Sequence, residues 1–238
     1  MKLDGSLAVV TGATEGIGRA TTFALGHAGA RLAVCARTAA HVTATVADLR
    51  GDGIDAVGAT CDVGSADAVS AFANFVRRER GPVRIVINNA GVGRFAPLAE
   101  LSLEDWDATM ATNLRSLYLV TRAFLGDLFA TAPSAVVNIA SLAARNGVPG
   151  GTAYCASKHA VLGFSKALML EVRQRGVRVV AICPGSVATP FMDKQERPGR
   201  TPRDRMLHAA DVAETVLGTL TLADRALVSE VDIRPTSP

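Results

Sequence analysis

Short, predominantly apolar runs recur along the chain, with amphipathic segments between them. The runs are Leu7–Val10, Leu32–Ala36, Ala56–Cys61, Ile85–Ile87, Ala135–Ile139 and Val177–Ile182, with a last one near Leu227–Ile233. They are continuous rather than alternating, which predicts strands buried on both faces. Between them Ile17–Ala28, Val42–Leu49 and Val69–Val76 carry roughly the 3.6-residue period of a helix. Gly29, Gly51, Gly81 and Gly176 stand where such helices would stop. Ser102-Leu103-Glu104-Asp105 resembles a capping box opening a long helix toward Phe129. Strands alternating with helices predict an α/β fold, a doubly wound parallel sheet with helices on both faces. No linker, internal repeat or low-complexity segment is visible, so residues 1–238 are expected to form a single domain. The one break is Pro190–Met206, polar and carrying three prolines, which reads as a long loop or lid.

In such sheets ligands bind beyond the carboxyl ends of the strands. The residues just after the apolar runs are Thr11-Gly12, Arg37, Asp62, Asn88-Asn89, Ser141 and Pro184-Gly185. Nearly every polar residue of interest therefore falls on one rim.

Three features on that rim carry chemistry. Thr11-Gly12-Ala13-Thr14-Glu15-Gly16-Ile17-Gly18 lies between the first strand and the first helix. Glycines there permit a tight turn and a close approach to a pyrophosphate resting on the helix N-terminus. By itself the segment could also be an ordinary strand-to-helix turn. An NAD site of this type places an acid roughly 20 residues beyond the glycine turn, on the ribose 2′-hydroxyl. Here Ala36 stands near that place and Arg37 follows; a guanidinium suits a 2′-phosphate, so NADP(H) is expected, with NAD(H) as the alternative. Glu15 opposes a phosphate in the same turn. Tyr154 and Lys158, at i and i+4, project from one face of a helix. A phenol near pKa 10 is a poor acid or base at neutral pH, and a nearby ammonium lowers that value toward the working range.

With Ser141 placed 13 residues upstream of Tyr154, these features together resemble the short-chain dehydrogenase/reductase family over essentially the whole chain. Thr11–Gly18 matches its glycine motif, Asn88-Asn89-Ala90-Gly91 its fourth-strand motif and Tyr154–Lys158 its active-site motif. Pro184-Gly185 with Thr189 matches the segment after the sixth strand, and Asn113 the helix asparagine. The resemblance implies a Rossmann-type sheet of about seven strands. It implies that Tyr154 exchanges a proton with the substrate oxygen and that Ser141 hydrogen-bonds that oxygen. Lys158 would hold the nicotinamide ribose and tune Tyr154, and Asn113 would anchor a water passing protons to Lys158. Asp62 and Val63 would hold adenine, Asn88, Asn89, Ala90 and Gly91 would line the cofactor cleft, and Val187 and Thr189 would contact the carboxamide. Asp62 has a second reading, as the N-cap of the following helix. The chain is similar to broad carbonyl reductases and 3-oxoacyl-thioester reductases. It departs from the acyl-carrier reductases at Val231–Thr236, where their Asn-Gly-Gly-type ending is missing. A small carbonyl or alcohol substrate is expected, and a homodimer or homotetramer built on the helices near Leu114–Phe129 and Ala156–Leu170. A non-catalytic cofactor-binding sensor or scaffold is the alternative from another class; such proteins usually lose part of the active-site set, which is present here.

Composition narrows the setting. The 238 residues are 49% hydrophobic and 20% charged, enough for a substantial core. A net charge of +3, with the basic residues scattered, predicts no nucleic-acid or membrane partner. No run reaches the ~18 apolar residues of a membrane span, and no signal-peptide pattern opens the chain, so a cytoplasmic location is expected. Cys35, Cys61 and Cys183 end apolar runs and read as small buried hydrophobes, and no metal constellation is visible. In 190–206, Lys194, Arg197, Arg200, Arg203 and Arg205 outnumber Asp193, Glu196 and Asp204, an excess that could steer an anionic thioester or simply solvate a loop.

Overall fold

The computed structural model describes residues 1–193 and 201–236. Seven strands form one sheet: β1 (Leu7–Thr11), β2 (Arg31–Ala36), β3 (Ala56–Thr60), β4 (Ile85–Asn88), β5 (Ser134–Ile139), β6 (Val177–Pro184) and β7 (Glu230–Ile233). Their order is β3-β2-β1-β4-β5-β6-β7, and every recorded pairing is parallel. The helices are α1 (Gly16–His27), α2 (Ala39–Gly51), α3 (Ala66–Arg80), α4 (Leu103–Met110), α5 (Ser116–Ala130), α6 (Thr152–Val172), α7 (Pro190–Asp193) and α8 (Ala209–Thr221).

The predominantly apolar runs follow from burial of both sheet faces. Ala8 and Val10 of β1, Ile85 and Ile87 of β4, and Val180 and Ile182 of β6 join a core completed by Leu25 of α1 and Val212, Val216 and Leu220 of α8. The residues between them, Leu7, Val9, Val86, Val177 and Val179, face a second core with Phe72 and Val76 of α3, Phe124 of α5 and Leu168 of α6. Alternate strand residues point to opposite faces, so a two-sided core favours apolar residues in succession rather than in alternation. Val69, Phe72, Ala73 and Val76 of α3 have the i, i+3, i+4, i+7 spacing of one buried stripe.

Three local expectations are revised. Gly51 is the last residue of α2, and the left-handed turn after it falls at Gly53, φ 77°. Ser102 caps α4 by accepting from the Asp105 amide at 3.0 Å, but the Asp105 carboxylate pairs with Arg94 at 3.4 Å rather than closing a capping box. The expected long helix is interrupted: a π turn, Ala111–Arg115, separates α4 from α5. An extra residue in a helical turn is a feature that helical periodicity cannot reveal.

Candidate active site

β1 and β4 are neighbours whose chain connections leave in opposite directions, and the crevice at such a switch point is where ligands bind. A cleft of about 620 Å³ opens there, within the size range of cofactor sites. Its floor is the glycine turn. Gly12 has φ 63°, and a Cβ on it would come within 2.9 Å of the Ala90 Cα, so glycine is required for both conformation and space. Gly16, φ 54°, opens α1 against the Thr189 side chain. The N-cap residue Glu15 makes no side-chain cap, and the first turn of α1 contains no acid, leaving its amides oriented for an external anion. Gly18 does not line the cleft, contrary to expectation. A Cβ there would lie 2.1 Å from the Gly12 carbonyl oxygen, so its task is to let α1 pack against the turn.

The glycine turn is braced from β4. The Thr11 hydroxyl accepts from the amides of Asn89 and Ala90, at 3.0 and 3.1 Å, and the Asn89 amide donates to the Thr11 and Gly12 carbonyls at 3.0 Å each. Asn89, Ala90 and Gly91 all line the cleft. Asn88 does not: it is buried and donates to Thr121 and Asn138 at 3.1 and 2.8 Å. Strand alternation is the reason, because Asn88 shares its face with Val86 and points under the sheet. Asn138 then donates to Ser165 at 2.9 Å, a buried polar chain tying β4, β5 and α6 that the sequence reading did not identify.

Arg37 is exposed at the end of β2 and lines the cleft beside Thr38 and His41. Asp62 and Val63 line the same end after β3. Asp62 is not the cap of α3: it accepts from the Gly64 amide at 3.0 Å, and Ser65 caps the helix by accepting from Ala68 at 3.3 Å.

The opposite end gathers the proton-transfer candidates. Ser141 ends the segment after β5, Tyr154 and Lys158 stand one turn apart on α6, and all three line the cleft. Lys158 lies on the stripe of α6 that continues through Val161, Leu162, Ser165 and Leu168 onto the sheet, so it is 5% exposed. Its ammonium donates to the Ile139 carbonyl at 2.9 Å and sits 5.8 Å from the Tyr154 ring centre. Burial, which disfavours the cation, lowers its pKa from 10.5 to about 8. The Ser141 hydroxyl accepts from the Ala143 amide at 3.1 Å, and burial raises the pKa of the Cys183 thiol to about 11.

Asn113 lies behind the cleft in the π turn, fully buried. Its Oδ1 accepts from the Val92 amide at 2.8 Å, while Nδ2 donates to the Val92 carbonyl at 2.9 Å and the Ser157 hydroxyl at 3.0 Å. A Cβ on Gly91 would sit 3.4 Å from Asn113 Oδ1 and 3.7 Å from Lys158 Nζ, so Gly91 lies between these two side chains.

Of the remaining expected residues, Thr14, Ile17, Pro184, Gly185, Val187 and Thr189 line the cleft as well. Sequence reasoning missed Phe95 and Phe191, whose rings flank Tyr154 at 5.2 and 5.9 Å between centres. It also missed Arg234 and Pro235, which bring the chain's end to the cleft. The only available signal was that Phe95 and Phe191 fall in the loops after β4 and β6. Of the polar stretch 190–206, residues 194–200 lie outside the described residues, and with them Lys194, Glu196, Arg197 and Arg200. Among the described residues no cluster of three His, Cys, Asp or Glu could hold a metal, and no helix is long and apolar enough to cross a membrane.

A crevice at the switch point of a parallel sheet, floored by a glycine turn and carrying a Tyr-Lys pair, defines a nucleotide-linked oxidoreductase site. The family model for short chain dehydrogenases matches residues 6–199, and the chain belongs to that family of oxidoreductases. It is 44% identical over 193 residues to D-threitol dehydrogenase of Mycolicibacterium smegmatis, covering 81% of this chain and 74% of that one. A metagenomic short-chain oxidoreductase in complex with NADP superposes with a TM-score of 0.86 at 36% identity, covering 100% of both chains. A variant of actinorhodin polyketide ketoreductase with NADPH superposes with a TM-score of 0.89 at 35% identity, covering 98% of this chain and 97% of that chain.

Proposed function

We propose that this protein is an NADP(H)-dependent oxidoreductase interconverting a carbonyl and a secondary alcohol, with Tyr154 as its general acid and base. The observation that carries this reading is the convergence of Ser141, Tyr154 and Lys158 on the cleft whose far end is the glycine turn. The fit of a dinucleotide rests on Gly12 and Gly16, whose positive φ and close contact with Ala90 and Thr189 only glycine allows in the turn, on the uncapped first turn of α1, and on Arg37 beside Thr38 and His41 at the 2′-phosphate end. The complexes of two structural neighbours with NADP and NADPH support the same cofactor.

The nicotinamide, when bound, supplies or accepts the hydride. Ser141 hydrogen-bonds the carbonyl oxygen, and the Tyr154 hydroxyl delivers a proton to it as negative charge develops. The Lys158 ammonium, held by the Ile139 carbonyl, makes the phenolate left on Tyr154 less costly. Replacement of that proton would run along the side of Lys158 that faces Gly91 and Asn113, as the family resemblance implies. Asn113 is thereby a positioning residue, fixing Val92 and Ser157 beside Lys158. Phe95 and Phe191 present apolar walls to the substrate and help keep bulk water from the reacting oxygen.

Thermal-shift titration with NADPH and NADH, followed by a panel of ketones and 3-oxoacyl thioesters, tests the reading. Stabilisation by NADPH with oxidation of NADPH by at least one ketone is expected. Binding of neither dinucleotide, or binding with no turnover across the panel in either direction, would overturn it and favour the sensor alternative.

A further inference from the structure

The last strand is joined by charge to both elements that carry the site's hydroxyl groups. Arg145 directly follows the short turn Leu142–Ala144 that Ser141 opens. Its Nε bonds Asp232 Oδ1 and its Nη2 bonds Glu230 Oε2, each at 2.7 Å. Glu230 and Asp232 are two residues apart on β7 and so share one face of the strand. The second carboxylate oxygen of Glu230, Oε1, lies 3.2 Å from Lys166 Nζ on α6, two turns beyond Lys158. Asp232 also takes Arg234 at 3.2 Å. Glu230 therefore bridges the Ser141 turn and the helix of Tyr154.

We propose that Glu230 is a positioning residue for the reaction, fixing through Arg145 and Lys166 the separation of the Ser141 and Tyr154 hydroxyls. The proposal rests on the functional reading above. The two hydroxyls must meet one substrate oxygen, yet they come from segments with separate attachments. Ser141 opens a turn tied at its near end by the hydrogen bond from the Ala143 amide and at its far end by Arg145; Tyr154 is fixed by the packing of α6. Glu230 supplies a shared reference between them. A guanidinium fork gripping two carboxylates restrains direction as well as distance, which a single ion pair does not. The Glu230 side chain is 20% exposed and that of Arg145 33%, so the pairs are partly withdrawn from solvent. Exposed ion pairs add little to stability, so the effect belongs in the geometry of the site more than in the melting temperature. Burial opposes ionisation of Glu230, but hydrogen bonds from Arg145 and Lys166 outweigh it and keep the carboxyl below its usual range.

The experiment compares Glu230→Gln, Glu230→Asp and Arg145→Ala with the wild type in ketone reduction. A misplacement of about 1 Å can cost on the order of 100-fold in rate, so kcat in Glu230→Gln should fall about 10- to 100-fold, with the NADPH dissociation constant within threefold. Glu230→Asp should recover part of kcat, and millimolar guanidinium should restore part of the activity of Arg145→Ala. That rescue keeps the test valid if Glu230→Gln folds poorly. A kcat within threefold of wild type, or loss of NADPH affinity in step with kcat, would overturn the proposal. Hydrogen exchange of residues 140–146 is read alongside and needs no turnover: it should quicken in Glu230→Gln and stay slow in wild type. A wild type inactive on every substrate would sink the functional reading, and exchange alone would then judge whether Glu230 holds the turn. Unchanged exchange together with unchanged kcat in an active enzyme would sink only the role of Glu230.

Discussion

Lys158 donates to the Ile139 carbonyl at 2.9 Å while its ammonium stands 5.8 Å from the centre of the Tyr154 ring. One buried cation is thus fixed by the end of β5 and offered to the phenol one helical turn away. Its fixed position matters because a cation free to solvate would be screened and would shift the phenol less.

If Tyr154 is the proton donor, Tyr154→Phe should leave the fold and NADPH affinity nearly intact, since it removes only one hydroxyl. Acid–base catalysis is typically worth ~10²–10⁴-fold, and kcat should fall by that amount. Steady-state kinetics with any reduced ketone measure it, and activity within about threefold of wild type would refute the assignment.

The lowered pKa of Lys158 has a signature in stability. Below pH 8 the residue is charged in both folded and unfolded chains, so the folded state carries the full burial penalty. Between about pH 8 and 10.5 the unfolded chain keeps a proton that the folded protein has released, so stability rises with pH across that window. The gain is about 3 kcal/mol at most. Lys158→Met has no such group, so the stability of wild type relative to this variant should climb over the same window in cofactor-free denaturant titrations. A difference independent of pH would mean the lysine titrates normally. Activity should move the other way, falling as pH passes about 8 and the ammonium beside Tyr154 is neutralised.

Arg37→Ala should weaken NADPH far more than NADH. A hydrogen bond to a charged group contributes about 1.5–3 kcal/mol, or roughly 10- to 150-fold in affinity. Paired titrations of both cofactors are the check. Equal losses, or a wild-type preference for NADH, would make Arg37 a bystander.

Self-association is expected through the outer faces of α5 and α6. Tyr118 and Leu170 are 47% and 60% exposed there, and Leu103 at the start of α4 is 74% exposed. Large apolar side chains left outside the core are candidates for a partner surface, and closed two-fold pairing is the commonest arrangement. Light scattering at micromolar concentration should give a dimer or tetramer, and Leu170→Glu should shift it toward monomer. A monomeric wild type would refute the assembly.

Much of the fold was legible because its signals are local. Runs such as Leu7–Val10 and Ile85–Ile87 are apolar at every position, as a strand covered on both faces requires, and Val69, Phe72, Ala73 and Val76 repeat with the turn of a helix. The rim followed, because polar residues placed directly after such strands arrive at one edge of a parallel sheet. Tyr154 and Lys158 were legible for the same reason: four residues on a helix is a fixed spatial relation. What stayed hidden depends on partners far away in sequence. Asn88 and Asn89 are neighbours of one type, yet strand alternation and the registry of Asn88 with Asn138 send one beneath the sheet and the other to the glycine turn. Gly18 became a packing residue only once the Gly12 carbonyl was found against it. The π turn holds Asn113 against Val92 and Ser157, contacts that periodicity cannot encode. Arg145 and Glu230 meet across 85 residues, and nothing near either of them announces the other. The sequence by itself determined most of the strands, the order of chemistry along the rim and the Tyr-Lys spacing, since each is set within a few residues of chain. Tertiary structure alone decided which side chains face the cleft, which brace it and which charges lock it, because those choices depend on what packing brings to the other side.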